Sequence, residues 1–274
     1  MKILVLSDLH IPPEMVNNLF QIEKYKRILK KEIQSDYDMV LISGDIFEHR
    51  VPKYQNVFEV LQILFNEKPV IFCLGNHEFA YEKYQDVLKT YNVQYEVFKE
   101  KFPNNKCICL DISGKYDFGN NRIVGNVFWY DWSLNHCRAL MKGELIEDWL
   151  DYSIEEFEPM VEHENCKKQI FENIDQSKNM ILLTHTVPHE DLNSFSKDDP
   201  HSPFNAYSGE KDFLKEIKDK NFKFAICGHT HRREVKDIYG IHCINIGNDY
   251  FFHNNKIKNV ILEVDDNLNL IKMS

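Results

Sequence analysis

The sequence predicts a layered α/β protein, and three observations carry that prediction. Short apolar runs recur along the chain, at 2–7, 39–42, 70–74, 179–183 and 222–227. Stretches with helical spacing of apolar residues separate the first three runs, so strand, loop and helix alternate as in a sheet built with right-handed crossovers. Each run also breaks into Asp, Asn or His, directly or within one or two small residues.

The elements follow in order. Residues 2–7 read as a strand ending at Asp8, and Pro12 and Pro13 keep the next segment irregular. Residues 14–34 read as a helix, with Met15, Leu19, Ile22, Ile28 and Leu29 on one side and lysines and glutamates on the other. Met39–Ile42 is the second strand, ending at Gly44 and Asp45, and 46–53 is a loop. Tyr54 to Phe65 is helical, with Val57, Val60, Leu61 and Leu64 apolar. Pro69 opens the third strand, which stops at Gly75, a residue free to turn sharply, and delivers Asn76 and His77. In open α/β sheets the carboxyl ends of strands are where ligands bind.

Beyond residue 100 the spacing changes. Cys107–Ile112 and Arg122–Tyr130 read as neighbouring strands around a turn at Gly119, Asn120 and Asn121. From 131 to 178 the chain reads as helical and acidic, with nine Asp or Glu and no Lys or Arg between Glu144 and Glu164. A solvated helical face accounts for that composition. Its place in the chain also suits a cap over the strand ends, so the expected organisation is one domain over 1–274 with a cap-like insertion at 131–178. Asn179–Leu183 is a core strand breaking at Thr184 and His185. A polar loop over 186–207 and a short helix over 208–219 follow. Phe222–Cys227 breaks at Gly228 and His229, and short strands at 234–239, 241–246 and 258–264 suggest an antiparallel second sheet.

Composition narrows the function classes. A chain of 274 residues with 43% hydrophobic content supports one large core or a core with a cap. Ten glycines and nine prolines are too few for a linker-rich protein. A formal net charge of -10 disfavours binding to extended nucleic acid, although bound divalent cations would invert the sign locally. The seven cysteines show no CxxC spacing. Cys73, Cys227 and Cys243 lie in or beside apolar runs, and Cys107 and Cys109 share one face of a strand, so they read as buried thiols of a reducing compartment. The apolar run at the amino terminus is too short for a signal peptide, and no run approaches the roughly 18 residues of a membrane span. The expectation is a soluble, cytoplasmic protein.

The strand-end residues form one constellation: Asp8, His10, Asp45, Asn76, His185, His229 and His231. Two carboxylates, one amide and four imidazoles are too many donors for a single four- to six-coordinate ion, and they suit two ions if one carboxylate bridges. Without a cysteine the set does not describe a thiolate zinc site. It suits manganese, iron or zinc. Asp8 and His10 are two residues apart, so a regular strand points them the same way, and the same holds for His229 and His231. A lone histidine after a strand is usually a turn residue. The recurrence at five strand ends is what core packing does not explain. Of the remaining histidines, His189 lies near the His185 block as a candidate substrate contact. Arg50 follows the Asp45 loop as a candidate phosphate contact. His49, His136, His163, His201, His242 and His253 read as surface or structural.

The ordered blocks Asp8-x-His10, Gly44-Asp45, Gly75-Asn76-His77-Glu78, His185 and Gly228-His229-x-His231 resemble the calcineurin-like metallophosphoesterase superfamily. All five blocks stand in the family's order and span residues 8 to 231. The resemblance implies a four-layer α/β/β/α sandwich with a dinuclear site between the carboxyl edges of two sheets. It also implies one ion held by Asp8, His10, Asp45 and His231, a second by Asp45, Asn76, His185 and His229 with Asp45 bridging, and His77 as a catalytic non-ligand. Two cations about 4 Å apart lower the pKa of a shared water and hold hydroxide in line with phosphorus. They also neutralise charge on the phosphoryl oxygens, and His77 would protonate the leaving oxygen.

The protein phosphatase branch looks like Gly-Asp-x-Val-Asp-Arg-Gly at the second block. Here the chain reads Gly44-Asp45-Ile46-Phe47-Glu48-His49-Arg50 with no glycine after the arginine. An SbcD-like nuclease shares the ligands but carries more chain for DNA and a partner ATPase. A non-catalytic scaffold of the same fold resembles it with degraded ligands, and here none is missing. The expected function is hydrolysis of a phosphodiester or phosphomonoester of a small substrate by metal-activated hydroxide, with two divalent ions, manganese first.

Overall fold

In the computed structural model, which describes residues 1–33, 35–48, 56–135, 149–193, 202–248 and 257–274, twelve strands form two six-stranded sheets. The first sheet holds β1 (Lys2–Leu6), β2 (Met39–Ser43), β3 (Val70–Cys73) and β4 (Cys107–Cys109). It also holds β11 (Val260–Val264) and β12 (Leu270–Met273), in the order β12-β11-β1-β2-β3-β4. The second holds β5 (Lys115–Phe118), β6 (Asn121–Asn126), β7 (Asn179–Thr184), β8 (Phe222–Cys227), β9 (Glu234–Ile238) and β10 (Ile241–Asn245). Its order is β5-β6-β7-β8-β10-β9. Strands β1 to β4 in one sheet and β6, β7, β8 and β10 in the other pair in parallel, and β11, β12, β5 and β9 are added antiparallel.

Alternation along the strands sorts side chains into two cores. Ile3, Val5, Leu41 and Ile71 of the first sheet pack with Ile181, Leu183, Phe224 and Ile226 of the second. Leu4, Leu6, Val40, Ile42 and Phe72 join instead the cluster that contains the helices. Because both faces are covered, the central strands are apolar throughout.

The helices are α1 (Leu19–Glu32), α2 (Val57–Leu64), α3 (Asn76–Phe79), α4 (Tyr84–Lys101), α5 (Leu110–Ser113), α6 (Pro159–Asn173) and α7 (Phe213–Ile217). Asn18 caps α1 by accepting from Gln21 N–H at 3.0 Å, and Asn56 caps α2 through Phe58 and Glu59 N–H. The helix expected over 14–34 divides into a 3₁₀ turn at Pro13–Val16 and α1, because the Asn18 cap starts a new helix. The helix expected over 208–219 shortens to α7. Helix α4 buries Tyr84, Val87, Tyr91 and Phe98 along one face, while Val93 and Val97 are half exposed.

Two strand pairings differ from expectation. Cys107–Ile112 does not pair as a strand with Arg122–Tyr130. The strand ends at Cys109, α5 turns the chain, and Gly114 closes that turn at φ 71. The hairpin partner of β6 is β5, in the other sheet. The final strands do not form a sheet of their own either. β9 and β10 extend the second sheet, while β11 and β12 return to the first beside β1.

Of the segment 131–178, residues 136–148 lie outside the described set. Helix α6 lies against β6: Asn126 Nδ2 donates to Cys166 O at 3.0 Å and Arg122 Nη1 donates to Asn173 O at 2.9 Å. Residues 149–153 lie instead at the strand ends beside Asn76.

Candidate metal centre

The carboxyl ends of β1, β2, β3, β7 and β8 meet between the two sheets. There the backbone leaves strand geometry: Asp8, His10, Asp45, His229 and His231 have φ of 49°, 41°, 49°, 68° and 55°. These are left-handed positions, costly for residues with a side chain and concentrated at functional sites. The pairs Asp8 and His10, and His229 and His231, therefore converge through turns rather than through the period of an extended strand. The surrounding hydrogen bonds hold those turns. Asp8 N–H donates to Gly44 O at 3.1 Å, His10 N–H to Asp45 O at 3.0 Å, and Gly228 N–H to His185 O at 2.9 Å. His229 N–H donates to Asp8 Oδ1 at 3.0 Å and His77 N–H to Asp45 Oδ1 at 3.0 Å.

Gly75 differs from the turn expected of it. Its backbone is extended, with φ -121° and ψ -180°, which any residue adopts. Glycine stands there for space, because a Cβ would overlap Asp45 Oδ1. At Gly44, whose φ is 74°, a Cβ would overlap the His185 ring, and at Gly228 it would lie 2.6 Å from Asp8 Oδ2.

Three groups of donors have their ligand atoms within 4.8 Å of one another: Asp8, His10 and His231; His10, Asp45 and His77; Asp45, His185 and His229. Asp45 Oδ2 lies 3.8 Å from His10 Nε2, 3.8 Å from His77 Nε2 and 3.4 Å from His185 Nε2. Asp8 Oδ1 lies 3.8 Å from His231 Nε2. Asn76 Oδ1 lies 3.1 Å from His185 Nε2. Donors about 2.0–2.2 Å from one cation stand roughly 3–3.5 Å apart; the Asp45–His185 and Asn76–His185 spacings fall in that range, and the 3.8 Å spacings stand slightly wider.

The outer hydrogen bonds strengthen that fit. His185 gives its Nδ1–H to Ser43 O at 2.9 Å, which leaves Nε2 as the atom facing Asp45 and the one that could coordinate a metal once its proton is lost. His229 gives Nε2–H to Tyr207 O at 3.1 Å and presents Nδ1. His77 gives Nδ1–H to Glu48 O at 2.6 Å and presents Nε2. Asn76 donates Nδ2–H to Asp151 Oδ1 at 2.9 Å and so turns its amide oxygen inward. A backbone carbonyl or a carboxylate thus takes the hydrogen on the far side of each of these four groups.

Burial and mutual contact set the protonation of the set without metal. Burial works against charge on His185, but the Asp45 carboxylate beside it more than offsets this and holds the ring at about 10. Burial and His185 push His229 down to about 3, and burial chiefly lowers His10. Burial opposes ionisation of Asp45, but His185 and His77 hold its carboxyl well below the usual range. Glu78, raised to about 8 by burial and then by Asp45, braces the site by accepting from Phe47 N–H at 2.9 Å and Gly75 N–H at 2.7 Å.

All seven strand-end donors belong to this one cluster, and His77 joins it. Residues Asn76–Phe79 form a helical turn rather than extended chain, so strand alternation does not separate His77 from the donors, and its Nε2 reaches as close to Asp45 as His10 does. His189 is engaged elsewhere: Nδ1 accepts from Asp191 N–H at 3.1 Å and Nε2 lies 3.4 Å from Asp212 Oδ1. No contact among the described residues joins it to the cluster. His163 is buried against Trp129 O and Glu210. Arg50, His49, His136, His201 and His253 lie outside the described residues. Sequence reasoning missed Asp151, which is indistinguishable by composition from the other acids of its run.

The calcineurin-like phosphoesterase profile matches residues 1–233. The chain belongs to this family. Family members use divalent metals, and the clusters described here could hold them. An uncharacterized metallophosphoesterase of Helicobacter pylori strain J99 is 27% identical over 121 residues, covering 43% of this chain and 30% of the relative's own length. A second, from strain 26695, is 28% identical over 123 residues with the same coverage. Among solved structures, phosphopantetheinyl hydrolase of Mycobacterium tuberculosis superposes with a TM-score of 0.63 at 14% identity, covering 94% of this chain and 93% of that one. TT1561 of Thermus thermophilus superposes with a TM-score of 0.51 at 12% identity, covering 100% and 97%. At these identities the likeness is one of fold. Among the described residues, no helix is long and apolar enough to cross a membrane.

Proposed function

We propose that this calcineurin-like phosphoesterase is a dinuclear, metal-dependent hydrolase of a small phosphodiester or phosphomonoester, with manganese as its first metal. The observation that carries the reading is the position of Asp45. Its carboxylate is shared by two donor groups, one with His10 and His77 and one with His185 and His229, and His10 belongs also to a third group with Asp8 and His231. One metal position uses Asp8, His10, Asp45 and His231; the other uses Asp45, Asn76, His185 and His229. Two divalent ions supply a nucleophile by acidifying water and offset the charge of the phosphoryl oxygens.

The chain's own groups do the rest. Asp45 places its negative charge between the two positions, and the carbonyls of Ser43 and Tyr207 hold His185 and His229 in the tautomers that leave a lone pair facing inward. His77 is a general acid for the leaving oxygen. Its Nδ1–H is committed to Glu48 O, so Nε2 donates a proton only from the imidazolium. Residues 149–153, beside Asn76 and His229, form one wall of a cap that limits the substrate to something small. The six described cysteines are buried thiols, in keeping with a reducing cytoplasm.

The test is hydrolysis of bis-p-nitrophenyl phosphate, p-nitrophenyl phosphate, cyclic nucleotides and single-stranded DNA with manganese, beside elemental analysis. The proposal expects close to two ions per chain, turnover of small esters and loss of turnover on chelation. Full activity with a single ion overturns the dinuclear reading, and preferential cleavage of single-stranded DNA favours a nuclease.

A further inference from the structure

Asp151 is fully buried, and three different side chains converge on it. Asn76 Nδ2 donates to Oδ1 at 2.9 Å, while Tyr130 OH and Trp149 Nε1 donate to Oδ2 at 2.8 and 2.9 Å. An amide NH₂ and an indole N–H can only donate, so both carboxylate oxygens are committed as acceptors. A side-chain amide can turn over at little cost in shape, exchanging oxygen for nitrogen. At Asn76 such a turn would present hydrogens instead of a lone pair to the centre. It would also set two acceptors, Asn76 Oδ1 and Asp151 Oδ1, against each other. The carboxylate therefore selects one orientation of Asn76, the one with Oδ1 3.1 Å from His185 Nε2.

The same carboxylate anchors the neighbouring wall. Trp149 stacks on Phe204 and Tyr207 with centroids 5.3 and 5.1 Å apart and meets His229 edge-on at 6.3 Å. Tyr207 supplies the carbonyl that holds His229. Asp151 thus touches Asn76 directly and leads to His229 through Trp149 and Tyr207.

We propose that Asp151 is a positioning residue for the metal position held by Asn76, His185 and His229, acting by fixing which atom of the Asn76 amide faces the ion. This inference rests on the dinuclear reading. Asp151→Asn cannot satisfy Asn76 Nδ2 and Trp149 Nε1 together, because one edge of the new amide carries hydrogens. Loss of an outer-shell partner typically weakens metal binding by about 10–100-fold, and here one of the two ions is affected.

The exchange variant Asn76→Asp with Asp151→Asn keeps the pair and reverses its hydrogen bond. Asn at 151 then donates to Asp at 76, and its oxygen accepts from Trp149 and Tyr130. Calorimetric titration with manganese, beside the melting temperature of each metal-free variant, tests the assignment. Expected are two ions on the wild type, one ion weakened by about 10–100-fold in Asp151→Asn, and recovery in the exchange variant. Tyr130→Phe, which removes a donor from the same carboxylate without touching Asn76, should lower the melting temperature and leave both affinities unchanged. Should Asp151→Asn not fold, recovery of two-ion binding by the exchange variant still decides. Wild-type affinities in Asp151→Asn, an equal loss in Tyr130→Phe, or no recovery on exchange overturns the assignment. A wild type that binds a single ion overturns the dinuclear reading instead.

Discussion

The carbonyl of Ser43, the last residue of β2, accepts the Nδ1–H of His185, the residue after β7, at 2.9 Å. One sheet thereby sets the tautomer of a histidine carried by the other. The Nε2 atom that remains lies 3.4 Å from Asp45 Oδ2, and that carboxylate holds the ring at about 10 against its burial.

Without metal, His185 is therefore protonated at neutral pH, and a metal bound at Nε2 would have to displace that proton. The proton-linked contribution to the fold of the metal-free protein is fully present below about 6.5 and is lost as pH rises through about 10. Metal affinity runs the other way, rising by about tenfold per pH unit from this group until about 10. Calorimetry of manganese binding at pH 7 in two buffers of different ionisation enthalpy should register about one released proton from this site. Binding with no proton release would contradict the assignment.

Gly75→Ala should damage the centre although the backbone there suits any residue. The new Cβ would occupy the space of Asp45 Oδ1, which also accepts His77 N–H. Overpacking of this kind costs about 1–3 kcal/mol, and the displaced carboxylate should take bound metal with it. Thermal melting with elemental analysis measures both, and a variant with normal melting and full metal content would show that the Asp45 loop yields freely.

Asp45→Asn should cost more metal than His10→Ala or Asn76→Ala, because Asp45 belongs to two of the donor groups and, in the proposed dinuclear site, would supply the charge that makes two neighbouring cations tolerable. Metal content and turnover of the three variants, compared side by side, decide it. Normal loading and turnover in Asp45→Asn would remove the bridge.

His77→Ala should keep both ions and lose turnover. General acids contribute about 10²–10⁴-fold, so the loss should be large for alkyl phosphates and smaller for p-nitrophenyl esters, whose leaving group needs little protonation. An equal loss on both esters would point to a charge role in the transition state. Because Nε2 lies as close to Asp45 as that of His10 does, loss of an ion on mutation would make His77 a ligand.

Several features of this protein were legible along the chain. An apolar run breaking into a metal-ligand side chain is a local pattern, so the strand ends and their seven donors were readable one block at a time. Other features depended on contacts between distant residues. Central strands buried on both faces read as uniform apolar runs. Nothing in Val5 or Leu183 therefore says which sheet it joins, and the division into two sheets, with β11 returning beside β1, appears only in the pairing. The left-handed turns at Asp8, His10, Asp45, His229 and His231 are held by hydrogen bonds across the fold, such as His229 N–H to Asp8, 221 residues apart. Gly75 looks like a turn glycine in sequence and is a space-keeping one in the fold, because the atom that needs the room belongs to Asp45. Asp151 reads as one acid among many. Its partner Asn76 is 75 residues away, and only burial with three donors makes it different. Local chemistry singled out the residues that the fold gathers into one cluster. Tertiary packing decided which atom of each one faces the centre, because orientation is set by the hydrogen bond on the far side of the group and that partner lies elsewhere in the chain.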